Sequence, residues 1–405
     1  MRTGHKRCSS VMTEHSPQPF RSLPVQEQRR TARHLNLPDF GPAEQQRLHD
    51  AKVLVVGAGG LGSPAMQSLA AVGVGTIVLY DDDTVDITNL HRQILFSTAD
   101  TGRPKVTVAA EQLRRLQPDI RVEEHRERLT AENILDALAH VDVVLDGSDT
   151  FATKYLVADA AEITGTPLVW ATVLRYSGQL SVFQTGKVGL RDLFPNQPSG
   201  DAIPDCASAG VLGATTAVMG SLAATEVIKV LTGIGHPLLG SVLSYDALNA
   251  TTSTFNVMAD PQRKPVTPAQ LGTTPSTCRS KTACPDGDAH TRAPSERRRL
   301  LDRISQGDAV ALDVREYHET LLDNLAALGP HSRSSHLAMS ELTLPDGTLE
   351  QDAPQVRDLF SRHGEADIVA YCASGKRSQR FVEAYSSLAQ AHGVTLTNLP
   401  GGVSG

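Results

Sequence analysis

The stretch KVLVVGAGGLGSPAMQSLAAVGVGTIVLYDDD, residues 52–83, leaves few folds open to this chain. Its first five residues read as a strand buried on both faces. Four glycines follow at 57, 59, 60 and 62, residues 60–72 adopt helical spacing, and GTIVLY reads as a second buried strand. Strand, glycine turn, helix and strand in that order imply a parallel sheet.

The rest of the chain extends the pattern. Helical segments at 104–117, 131–139 and 151–164 alternate with strand candidates such as VDVVLDGSD at 141–149. The expected fold is α/β: a Rossmann-like, doubly wound, mostly parallel sheet with helices on both faces. Two β-rich runs flank Tyr176-Ser177-Gly178 and predict a hairpin, hence an antiparallel extension. A long Ala/Gly-rich helix is expected from Gly213 to Leu231. Residues 260–296 hold Pro, Thr, Ser and charges without a period and are expected to be a linker. A smaller α/β pattern resumes with AVALDVRE and ADIVAYCASGKRS. The expected organisation is a disordered tail at 1–29, a nucleotide-binding domain at 30–259, the linker, and a second domain at 297–405.

Composition narrows the function. A formal charge of −7 with 4% aromatic residues gives no sign of nucleic-acid binding. Five scattered cysteines are too few for a secreted disulfide framework. Cys278 and Cys284 are separated by five residues, with no second pair to complete a zinc tetrahedron. No uncharged apolar run of about 18 residues suggests a membrane span, and no signal core opens the chain, so a cytoplasmic location is expected.

The glycine turn sets Gly57, Gly59, Gly60 and Gly62 where backbone N–H groups can approach phosphates at a helix start. Asp81, 19 residues after Gly62, ends the next strand and can accept ribose hydroxyls. These features predict a nucleotide but do not choose one. The stretch DDDTVDITNLHRQILF argues for a triphosphate. Asn89, Arg92 and Gln93, with Lys105, supply more polar and cationic groups than two internal phosphates need, and cationic clamps stabilise departing pyrophosphate. Asp149, at the mouth of a later strand, can hold Mg²⁺ between phosphates. The plainer alternative makes Arg92 and Lys105 solvated charges and Asp149 the cap of a helix starting near Phe151.

RTARHLNLPDFG, GAGGLGSP, TVDITNLHRQILF, GRPKV, DGSDTFATKYLV and DCASAGVLG together resemble the ubiquitin-activating-enzyme-like adenylyltransferases of molybdopterin and thiamine biosynthesis, over about residues 30–258. The C-terminal part resembles a rhodanese. The resemblance implies ATP-dependent adenylylation of the C-terminal glycine of a small ubiquitin-fold sulfur carrier with a Gly-Gly tail. On the matched motifs, Gly59 and its neighbours would hold phosphates and Asp81 the ribose. Asn89, Arg92, Gln93 and Lys105 would contact the triphosphate, and Asp149 would bind Mg²⁺. Arg33 matches an arginine that relatives insert into the neighbouring subunit, implying a homodimer. Departures are Thr150 for the usual Asn, Lys154 for Arg, and GLRDLF at 189–194 where many relatives carry a CxxC pair for structural zinc, so no zinc is expected.

Two cysteines are candidates for sulfur or acyl chemistry. Cys206, in PDCASAG, matches a loop cysteine of relatives; its plain alternative is a small buried hydrophobe. Cys372 begins CASGKRS after a buried strand, where loop N–H groups, a helix start and Arg377 all favour a thiolate. Four residues separate Cys372 from Arg377, a ring that by resemblance suits a persulfide rather than a phosphate. The sulfur donor stays open between a cysteine desulfurase and thiosulfate. HSRSSHLAMSELTLP is a divergent form of the usual intervening segment, and the chain stops at LPGGVSG where relatives continue, so a short, divergent domain is expected. Two other readings stay open: an NAD-dependent oxidoreductase, and an adenylyltransferase whose second domain only docks carriers.

Overall fold

The computed structural model describes residues 23–197, 210–272 and 293–403, apart from 321–324, 326–328, 345 and 365. The chain divides into two compact units, Met1–Thr277 and Cys278–Gly405.

The first unit is built on one eight-stranded sheet in the order β3-β2-β1-β4-β5-β6-β7-β8. Its strands are β1 Lys52–Val56, β2 Thr76–Tyr80, β3 Arg121–His125, β4 Val143–Asp146, β5 Leu168–Leu174, β6 Ser177–Phe183, β7 Ser241–Asp246 and β8 Thr251–Asn256. Strands β1–β5 pair in parallel and β5–β8 antiparallel, with Leu174 opposite Ser177 across the predicted hairpin. Strand order reverses between β1 and β4, the position where doubly wound sheets open a ligand crevice at their carboxyl ends.

Alternating residues of β1 send Val53 and Val55 into one core and Leu54 and Val56 into the other. Each such fully buried side chain contributes about 1.5–3 kcal/mol relative to exposure. The helix Gly213–Thr232 is long and apolar enough to cross a membrane. Here Met219, Ala223, Ala224 and Val227 are buried in the same core as Met66 and Leu69 of the helix Gly62–Val72.

Three boundaries differ from expectation. Val25–Thr31 is a helix, whose Arg30 pairs with Glu27 and also reaches the carbonyls of Ala70 and Ala71, so the tail stops short of 29. Residues 260–272 belong to the first unit: Arg263 binds Glu162 and Asp192, and Leu271 enters the core. The next helix begins at Ala293. Composition misled at 260–272, because that polar segment docks through ion pairs and a single apolar anchor; the helix from Ala293 instead buries Leu300 and Ile304 on one face, its polar first turn hiding the start.

The second unit holds a four-stranded parallel sheet, β10-β9-β11-β12, from β9 Ala309–Asp313, β10 Arg333–His336, β11 Asp367–Tyr371 and β12 Thr395–Asn398. Despite its divergent sequence, HSRSSHLAMSELTLP forms the edge strand β10, then buries Met339 and Leu342. The helix Lys376–Ala391 buries Phe381 and Tyr385 over the sheet.

Candidate active site

A cavity of ≈ 220 Å³ opens at the carboxyl ends of β1, β2 and β4, the order reversal. Gly57 has φ +88°, and a β-carbon on Gly62 would lie 1.9 Å from the Gly57 carbonyl oxygen. The turn therefore closes tightly only with glycine at both places, and its backbone lines the cavity. Asp81 anchors the turn: its carboxylate accepts from the N–H groups of Ala58 (2.8 Å) and Asp83 (2.9 Å). Burial raises its pKa above the ordinary carboxylate value, against the opposing pull of Lys105 and those N–H groups.

The cavity wall brings together Gly57, Gly59, Gly60, Asp81, Arg92, Gln93, Lys105 and Asp149 of the expected set. Lys105 is buried and paired with Asp83 at 2.8 Å. Arg92 is half-buried, donating to Asn89 Oδ1 and to His91 Nε2 (2.7 Å), which must therefore be the unprotonated ring nitrogen. Asn89 thus orients Arg92 and does not itself line the cavity. Gln93 lines the cavity but is 4% exposed, and its Oε1 is buried without a hydrogen-bond partner. Asp149 is exposed on the wall and caps no helix; Thr150 takes that role, accepting from the Thr153 N–H at 3.2 Å. Gly62 supports the turn from behind. Arg33 is exposed and outside its own chain's cavity.

Several lining groups were not foreseen. Arg128, paired with Asp82 at 2.7 Å, comes from the loop after β3, and Thr216 from the start of the helix Gly213–Thr232. Neither carries a local signal; sheet order brings them in. Behind the wall, Lys154 donates to Asp146 (3.2 Å) and the Ala171 carbonyl (2.7 Å), both buried, so it serves the strand ends rather than the cavity.

Cys206 lies outside the described residues. Cys372 is 1% exposed at the carboxyl end of β11, where Gly375 N–H points at Sγ (3.1 Å) and Ser378 Oγ lies 3.5 Å away. Burial pushes its thiol up, but hydrogen bonds from Ser378, Ser374 and Gly375 outweigh it and hold the pKa below its ordinary value. Arg377 is not aimed at the sulfur. Both its terminal nitrogens bind Glu319, at 2.6 and 2.5 Å.

At GLRDLF, Asp192 accepts from Gly189, Asp260 and Arg263, while Arg263 also binds Glu162 and Arg191 pairs with Asp159. An arginine between two carboxylates binds segments 189–194 and 260–266 together. That donor set does not fit a thiolate-held zinc.

A glycine-turn nucleotide crevice on a doubly wound sheet, joined in one chain to a small parallel unit bearing a cysteine loop, defines the class. The chain belongs to the ThiF family, whose model matches residues 31–266, and a rhodanese-like domain matches residues 296–405. Its sequence is 45% identical to the Mycobacterium tuberculosis protein named "Probable adenylyltransferase/sulfurtransferase MoeZ", over 62% of this chain and 65% of that protein, just under two thirds of its length. It is 35% identical to the Bos taurus "Adenylyltransferase and sulfurtransferase MOCS3" over 99% of this chain and 90% of that protein. A "Sulfur carrier protein adenylyltransferase" of Thermus thermophilus is 48% identical over 57% of this chain and 87% of its own length. The crystal structure of E. coli MccB with AMPCPP and MccA superposes with a TM-score of 0.53, at 22% identity, over 60% of this chain and 75% of that one, and shows the shared fold.

Proposed function

We propose that the chain is an ATP-dependent adenylyltransferase and sulfurtransferase acting on a ubiquitin-fold sulfur carrier with a Gly-Gly tail. The carrying observation is one cavity that gathers a phosphate-approaching glycine turn, a ribose-positioned carboxylate and three cations, Arg92, Lys105 and Arg128. Two of these cations are held by acids of the same wall, Lys105 by Asp83 and Arg128 by Asp82, and a bound polyphosphate would take them over from those acids. The carrier's glycine carboxylate attacks the α-phosphorus, an O–P bond forms, and pyrophosphate leaves with the electron pair. No enzyme nucleophile is required; the residues position the reactants and neutralise the leaving group.

The exposed Asp149 carboxylate fits a hard cation and would hold Mg²⁺, which would neutralise charge on the phosphates. Arg33, exposed and away from its own cavity, is placed as a residue donated to a second copy would be, which supports a homodimer. For the sulfur step, a Cys372 persulfide attacks the acyl carbon and expels AMP. A second thiol, for which Cys206 is the candidate, then attacks the Cys372 sulfur: a disulfide forms between the two thiols, the bond to the acyl-bearing sulfur breaks and the thiocarboxylate leaves with the electron pair, after which a small-molecule thiol reduces the disulfide.

The test is carrier-dependent ATP–pyrophosphate exchange, with intact-mass measurement of candidate Gly-Gly carriers for added AMP or sulfur. Exchange should appear with at least one carrier and vanish in Asp149→Ala. Tight NAD binding with no exchange for any carrier would overturn the reading.

A further inference from the structure

Arg377 follows Cys372 by five positions, on the turn whose N–H groups face the sulfur. A guanidinium there is the natural seat for an anionic sulfur donor, because its fork matches two oxygens of a small oxyanion. In this chain the seat is filled from within. Glu319 takes both terminal nitrogens, at 2.6 and 2.5 Å, and its own carboxylate is steadied by the Glu316 N–H at 2.9 Å. Glu316 is in turn held by Ser340. Arg315, within electrostatic reach of Glu319, is buried and paired with Asp313. Lys376, beside Arg377 at the helix start, is exposed to solvent; Glu319 cancels the charge of the Arg377 guanidinium itself.

Resting on the sulfur-transfer reading above, we propose that Glu319 selects the sulfur donor, turning the Cys372 site away from the thiosulfate dianion and toward persulfide donors of lower charge. In either reaction the Cys372 thiolate attacks the donor's outer sulfur, a new S–S bond forms and the donor's S–S bond breaks. Thiosulfate must then release sulfite as a dianion, whose charge needs Arg377. A persulfide releases one thiolate, which the loop N–H groups and solvent can accommodate. The chain tolerates the second leaving group with Arg377 engaged; the first requires Glu319 to yield.

The experiment compares alkylation of Cys372 in the full-length chain by anionic iodoacetate and neutral iodoacetamide, read on the Cys372 peptide by mass spectrometry. The ratio of the two rates cancels changes in access and nucleophilicity and reports the charge of the seat alone. Glu319→Gln should raise the iodoacetate-to-iodoacetamide ratio about tenfold, the worth of a charge-assisted contact. Adding Arg377→Met should return the ratio to the parent level. In parallel, thiosulfate should load Cys372 with a persulfide faster in Glu319→Gln than in the parent. An unchanged or lower ratio in Glu319→Gln overturns the proposal. Because neither alkylating agent is a sulfur donor, that result is read independently of whether any carrier is converted to a thiocarboxylate.

Discussion

The ammonium of Lys105 lies 2.8 Å from the carboxylate of Asp83, 22 positions earlier in the chain, with the lysine buried and the aspartate largely exposed. The pair fixes a cation at the cavity wall while leaving its partner free to be displaced by a more highly charged phosphate. A buried ammonium held by an exposed, yielding carboxylate suits a site that must bind and then release a polyanion.

Lys105→Met should therefore keep the fold, since Asp83 returns to solvent, while pyrophosphate exchange falls by at least about a hundredfold, as when one preorganised charge contact to a transition state is removed. Circular dichroism alongside the exchange assay separates the two effects. Equal loss of fold and exchange would count against a role in charge neutralisation.

Gly62→Ala places a methyl 1.9 Å from the Gly57 carbonyl oxygen, a backbone atom that cannot swing aside. The expected cost is about 3 kcal/mol of stability with loss of ATP binding. Trp170, the one tryptophan of the chain, is buried in this unit and reports the transition by its fluorescence in urea. Gly60→Ala, whose methyl would first meet Thr216 side-chain atoms at 3.1 Å and then the Arg92 stem at 3.4 Å, should be milder.

The lowered Cys372 pKa means that its thiolate persists to lower pH than that of an ordinary cysteine. Iodoacetamide alkylation of Cys372 should show a lower midpoint than the same peptide gives when unfolded, with the rate falling as pH drops through it. Ser378→Ala removes one of the bonds that lower the pKa, so the midpoint should move up. A midpoint unmoved by the change would show that the loop N–H groups alone hold the anion.

Arg263→Met should destabilise the first unit by about 2–4 kcal/mol, because it strands the buried Asp192 and removes the tie to Glu162. Burial pushes the Asp192 pKa up, but Arg263 and the N–H groups of Gly189 and Asp260 pull it below the ordinary carboxylate value. Its folded pKa is thus below its unfolded one. The stabilisation is full above the unfolded carboxylate range and is lost as pH falls through the folded value. Trp170 fluorescence across pH 3–7 should show the parent losing stability into acid more steeply than Arg263→Met. Chelators should leave both curves unchanged.

The expected strand–turn–helix unit, hairpin and long helix were legible because each rests on local periodicity or on a glycine requirement that few contexts override. So were Asp81, Arg92, Gln93 and Lys105, which sit in or beside those units. Arg128 was not, since a polar loop residue carries no mark of the strand order that places β3 beside β2 and so beside the cavity. Thr216 was hidden for the same reason, and the docking of 260–272 because ion pairs leave no periodic trace.

The sequence by itself determined a parallel α/β nucleotide unit, the acid and cations at its mouth, and a second unit with a cysteine in a tight loop. These follow from spacing along the chain, which steric limits on the backbone convert directly into local shape. Only the tertiary structure decided which charge meets which. It turned Asn89 toward Arg92, set Lys105 against Asp83, gave the helix cap to Thr150 instead of Asp149, and spent Arg377 on Glu319 rather than on the thiolate. Charge pairing falls off steeply with distance and burial, so partners 22 or 58 positions apart are chosen by packing and not by sequence order.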